Sequence, residues 1–160
     1  MKRKFRSVIV ASLLLALTGC IGTSSQVRSA YAPAASDKFA YVIENAGGMS
    51  AEGLQILDDK LKSELSTSGL LSVPSDPAAR KVEIRITHYR MRHGAARAMV
   101  GIMAGKDNIT SDVRILEPGT GKLLGQLTVE SGNATAMGTS RGLIEGHAKE
   151  IVEFLRGSKQ

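Results

Sequence analysis

Lys81-Val82-Glu83-Ile84-Arg85-Ile86-Thr87-His88-Tyr89-Arg90-Met91 is the stretch that settles the fold class. Val82, Ile84 and Ile86 alternate with Glu83, Arg85 and Thr87. Period two sends successive side chains to opposite faces of a strand, and β-branched residues suit a pleated surface. This predicts a half-buried strand in a sheet with one dry face and one wet face. The dry face needs a cover, so amphipathic helices are expected elsewhere in the chain.

Downstream, Ile109 to Leu116 repeats the pattern through Ile109, Val113 and Ile115. Glu117-Pro118-Gly119-Thr120-Gly121-Lys122 reads as a turn, and Leu123 to Glu130 as the returning strand, with Leu123, Leu127 and Val129 on one face. So short a turn implies an antiparallel meander. Residues 131–139 read as a Gly/Ala/Ser/Thr loop. Over 140–156, Ile144, Ala148, Ile151 and Leu155 share one helical stripe, although Gly142 and Gly146 weaken its first turns.

Upstream, Phe39 to Ile43 is a short β-type run, ended by Asn45-Ala46-Gly47-Gly48. Leu54, Leu57, Leu61 and Leu65 recur at helical spacing and predict a helix over 50–67. Ser50 serves as its N-cap, Glu52 sits in the first turn and Gly69 follows as the stop. Leu70 to Ala79, with Pro74 and Pro77, reads as a turn-rich loop. The expected fold is α+β: a two-layer sandwich in the order β-α-β-β-β-α, with a mainly antiparallel sheet and two helices on one face. It forms a single domain over 38–157. The uncovered face should carry Glu83, Arg85, Thr87, Asp112, Arg114, Gln126 and Thr128.

The N-terminal twenty residues read as targeting. Lys2, Arg3, Lys4 and Arg6 precede an apolar run from Val8 to Leu17. That run is half the roughly twenty residues a membrane span needs, and it has signal-peptide length. It ends in Leu17-Thr18-Gly19-Cys20, which holds the one cysteine of the chain. The arrangement resembles a bacterial lipobox. The resemblance implies that residues 1–19 are removed and that Cys20 carries palmitate-type acyl chains. Two or more chains anchor firmly, at about 0.8 kcal/mol per buried methylene. Ile21 at the next position implies sorting to the outer membrane, on its periplasmic side, in preference to the inner membrane. Residues 20–37 read as the lipidated Cys and a flexible tether, because Ser, Ala and Gly dominate and cannot bury themselves.

Composition then excludes classes of function. The formal charge is +6, from 21 Lys and Arg against 15 Asp and Glu. Four of the basic residues sit in the signal, and without them the net charge is +2. A nucleic-acid binder needs a clustered basic face, so no nucleic-acid partner is expected. Three Tyr, three Phe and no Trp leave little for sugar or base stacking. No disulfide is available, so about 125 ordered residues must stand on one core.

His93 to Lys106 interrupts the meander. It is too apolar for an ordinary exposed loop and carries Gly94, Gly101 and Gly105. Packing on the domain's own core, a self-association or partner surface, and membrane contact beside the anchor are three readings of it. Its candidate contact residues are Arg97, Met99, Ile102, Met103 and Lys106. The strand Val82 to Thr87 leading to Arg90, the segment Gly94-Arg97-Gly105, Asp112-Val113-Arg114-Ile115-Leu116 and the turn Gly119-Thr120-Gly121-Lys122 together resemble a family of uncharacterised proteobacterial lipoproteins. That family is classed only as a domain of unknown function, and the resemblance implies no activity.

No catalytic motif emerges. Gly101 to Lys106 lacks the spacing of a phosphate loop and is followed by Asp107 where that motif needs Ser or Thr. His88, His93 and His147 show no metal-ligand spacing, so a hydrogen-bonded or solvated role is expected and neither metal nor cofactor. The expectation is a non-enzymatic envelope lipoprotein that acts through protein contacts, with an envelope protein or a second copy as partner. The alternative is a binder of small ligands or cell-wall fragments, with Arg85 and Arg114 as anion contacts on the wet sheet face. A hydrolase is the third reading.

Overall fold

The computed structural model describes residues 21–91, 106–133 and 139–159. The elements in chain order are β1 (Ile21–Ser29), β2 (Phe39–Asn45), α1 (Ala51–Thr67), β3 (Arg80–Arg90), β4 (Asp107–Leu116), β5 (Leu123–Asn133) and α2 (Ser140–Leu155). They build one five-stranded sheet in the order β1-β5-β4-β3-β2. β3, β4 and β5 form the antiparallel meander. β2 runs parallel to β3, with α1 as the crossover between them. The expected order therefore holds from Phe39 onward, and the fold is α+β.

The sheet face that alternation predicted is the dry one. Val82, Ile84, Ile86, Ile109, Val113, Ile115, Leu127 and Val129 are all buried. Leu57, Leu61 and Leu65 of α1 join the same core, as do Leu143, Ile144, Ala148, Ile151, Phe154 and Leu155 of α2. Both helices thus cover one face. Burying a single Leu or Ile side chain is worth about 1.5–3 kcal/mol, so this face supplies most of the driving force. α1 starts where expected: the Ser50 hydroxyl accepts from Gly53 N at 3.1 Å. α2 is capped in the same way, Thr139 Oγ1 accepting from Gly142 N at 3.0 Å.

Residues 21–37 depart from the tether reading. β1 pairs antiparallel with β5 from Ile21, opposite Asn133, to Ser29, opposite Gln126. Its side chains are mostly Ser, Thr and Gly, and only Val27 of those described is a partly buried hydrophobe packed on the core. Composition therefore hid the strand. The backbone ladder holds it, with polar side-chain bonds: Thr23 Oγ1 to Ser131 Oγ at 3.0 Å, and Ser25 Oγ donating to Glu150.

Past β1, Tyr31 is buried and meets Phe39 edge-on at 6.0 Å. Its hydroxyl donates to Asp37, which also accepts from Ala34 N at 2.9 Å and faces Arg80 Nε at 3.2 Å. Gly125 makes this packing fit, since a Cβ there would lie 2.7 Å from Tyr31 Cβ.

A bulge in β3 changes which residues reach the core. Strict alternation from Val82 would turn His88 inward. Instead the register shifts between Ile86 and His88, so Tyr89 falls opposite core-facing Ile109 and His88 opposite outward Thr110. An extra residue in one strand re-aims those after it. Tyr89 packs against the core, and its hydroxyl lies 3.3 Å from Ser50 Oγ at the start of α1.

Candidate functional site

Of the predicted site residues, Cys20, Arg97, Met99, Ile102 and Met103 lie outside the described residues. Lys106 is described. It is exposed, immediately before β4. Three other places bring functional side chains together.

The first is one end of the sheet. β1 starts there, β3 and β5 finish there, and β4 begins there, with Ile21, Asn133 and Asp107 adjacent across the register. Asn45 ends β2 at the same end, and its side chain brackets Met49 through bonds of 2.7 and 2.8 Å to the backbone. This turn sets up α1. The first turns of both helices therefore lie at this end. A cavity of about 670 Å³ opens between them, lined in part by Ser50, Tyr89, Arg90, Ser140 and Arg141. Gly53 keeps the helix close to Tyr89, since a Cβ there would sit 3.1 Å from its hydroxyl. Arg90 and Arg141 are exposed, and Arg141 reaches Glu145 at 3.5 Å.

The second is a buried polar string that the sequence reading did not assemble. Thr23 bonds Ser131, Ser131 Oγ lies 2.8 Å from His147 Nδ1, and His147 Nε2 lies 2.6 Å from Ser111 Oγ. Ser111 and His147 are 0% exposed. Burial pushes the His147 imidazole down to about 4, so the ring is neutral at physiological pH. One ring nitrogen then donates and the other accepts, and two hydroxyls satisfy both. A serine beside a histidine suggests a nucleophile and its base. Here no substrate reaches either without opening the core, so the string ties α2 to β4 and β5. A signal for it existed: His147 shares the helical stripe of Ile144 and Ile151, while Ser111 and Ser131 sit at core-facing parity.

The third is the uncovered sheet face. Register places Glu44, Arg85, Asp112 and Thr128 in one row across four strands, and Glu83, Arg114 and Gln126 in the next. Arg85 Nε faces Glu44 at 3.4 Å and Arg114 faces Glu83 at 3.3 Å. Thr128 donates to Asp112 at 2.8 Å. The two arginines offered as anion contacts thus already have carboxylate partners. Among the described residues no group of three His, Cys, Asp or Glu could hold a metal ion, and no helix is long and apolar enough to cross a membrane.

Sequence comparison places the chain. A family described as a domain of unknown function, DUF4410, matches residues 42–138, more than half of the chain. The chain belongs to the DUF4410 family. No curated protein matches it in sequence.

Among solved structures, this DUF4410 protein is similar in fold to the PelC dodecamer from Paraburkholderia phytofirmans, at 13% identity and a TM-score of 0.64. That match covers 84% of this chain and 98% of the other. A single-residue variant of the same PelC, also a dodecamer, matches at 13% identity with a TM-score of 0.62, over 86% of this chain and 100% of the other. Lipoprotein GNA1162 from Neisseria meningitidis matches at 13% identity with a TM-score of 0.47, over 75% of this chain and 98% of the other. At these identities the likeness is one of fold.

Proposed function

We propose that this DUF4410 protein is a lipid-anchored component of the bacterial envelope, held at the periplasmic side of the outer membrane through Cys20. It works by contact and not by catalysis, and its first partner is another copy of itself. The observation that carries the reading is the fold. An open five-stranded sheet under two helices corresponds to essentially the whole of a chain that assembles into dodecamers.

The surface chemistry supports it. Two edge strands, β1 and β2, flank the sheet. Among the described residues, the outer edge of β2 is bridged by Leu71 at Phe39 and at no other position. Val42, further along β2, is 49% exposed on the uncovered face. Unpaired edges and exposed apolar side chains are where chains meet. The segment from 93 to 106, with Arg97, Met99, Ile102, Met103 and Lys106, is the second contact surface of this proposal.

Light scattering on the acylated protein in detergent tests the reading. The expected result is a discrete oligomer that dissociates in Val42→Lys while the far-UV spectrum holds. A monomer at high protein concentration would overturn it. Fractionation tests the anchor, since Cys20→Ser should move the protein from the membrane to the soluble fraction.

A further inference from the structure

We infer that the domain stands end-on against the bilayer, with the Ile21 end of its sheet against phosphate headgroups and the strands running away from the membrane. The inference rests on the lipid-anchor reading above and deepens it. β1 begins at Ile21, already paired with Asn133 of β5. Cys20 is the preceding residue, and consecutive Cα atoms lie about 3.8 Å apart. No spacer separates an acylated Cys20 from the sheet, so the acyl chains enter the bilayer beside the ends of β1, β5 and β4. The other end of β5, at Leu123, lies ten residues away, or about 33 Å along the strand.

The side chains at the membrane end suit that neighbour. Arg90 and Lys106 are exposed there, and Arg141 lies on the first turn of α2. Glu52 in the first turn of α1 is an exposed acid at the same end, and Glu145 shares the charge of Arg141. Asp107 at the start of β4 is a third acid, but it is only 1% exposed, which leaves Arg90 and Lys106 as the exposed charges at the ends of β3 and β4 themselves. Basic side chains close to an anionic leaflet gain attraction that falls off within a Debye length. Met91, Lys106, Asn133 and Thr139, which flank segments 92–105 and 134–138, also lie at this end, so both connections leave and rejoin the domain on its membrane side.

The test uses the full-length acylated protein in vesicles of phosphatidylethanolamine and phosphatidylglycerol. Acylation occupies the one native thiol, so Glu52→Cys and Lys122→Cys each accept a single fluorophore. Lys122 marks the far end beside β5, close to the anchored strand sideways but distant lengthways. Nitroxide on the lipid headgroups should quench the label at position 52 several-fold more than the label at 122. Flotation with equal quenching, or stronger quenching at 122, overturns end-on docking and leaves the anchor standing. A protein that does not float overturns both. In Arg90→Gln/Lys106→Gln, quenching at position 52 should fall toward the value at 122, with flotation and melting temperature unchanged. Quenching that holds would overturn the headgroup contact.

Discussion

The two faces of this sheet both carry rows of polar side chains, and the rows do different work. On the covered face, Thr23, Ser131, His147 and Ser111 bond in sequence, and His147 and Ser111 are both 0% exposed to bulk solvent. On the uncovered face, Glu44 and Arg85 pair with more than half of each side chain exposed. A buried group that loses its partner carries the full cost of desolvation, whereas an exposed ion turns back to water. Rows of similar appearance should therefore differ severalfold in what they contribute.

The hardest way to break that contrast is His147→Ala. It opens a cavity between α2 and the sheet and leaves two serine hydroxyls without their ring partner. Together these should cost about 3–5 kcal/mol, measured as the change in urea unfolding free energy. A loss below 1 kcal/mol would mean that the serines find each other or water, and the contrast would fail.

Acid sharpens the same point without a mutation. An unfolded histidine titrates near 6.5, and His147 in the fold only near 4. Between those values the unfolded chain holds the extra proton, so stability rises with pH there. The contribution is complete above about 6.5 and is lost as pH falls toward 4, to the extent of about 3 kcal/mol. Asp37 adds to the loss at lower pH. Burial raises its carboxyl, but hydrogen bonds from Tyr31 and Ala34 N and the charge of Arg80 outweigh that and hold it below the usual range. Its share is present above the unfolded carboxylate range and disappears as pH falls through the folded value. Unfolding curves from pH 7 to 4 should show the histidine step, and His147→Gln should flatten it.

What was legible in the sequence follows from the same physics. Alternation in Val82 to Ile86 and the leucine stripe of α1 announce themselves because apolar periodicity is the signature of a buried face. β1 has almost none. It is held by backbone pairing with β5 and by small hydroxyls, and neither leaves a periodic mark, so the whole of β1 falls inside the stretch 20–37 that reads as tether. Tyr89 reaches the core only through a bulge at Thr87, which nothing in Ile86-Thr87-His88 foretells. The His147 string needed two strands and a helix in register before its members became neighbours. On the uncovered face the residues were legible and their partners were not, since Glu44 meets Arg85 only across a parallel pairing.

That pairing gives the smallest expected effect. Glu44 and Arg85 stand opposite each other on β2 and β3, with side-chain exposures of 63% and 58%. Salt and water screen such a pair, and holding two long side chains in place costs entropy. A double-mutant cycle with Glu44→Ala and Arg85→Ala should return a coupling of about 0.2–1 kcal/mol, shrinking as salt is added. Each single variant should unfold within about 0.5 kcal/mol of the parent. A coupling well above 1 kcal/mol would mean that something covers this face in solution and excludes water from it. The obvious cover is the flank of a second copy, so a large coupling that rises with protein concentration would place the self-contact on Glu44 and Arg85.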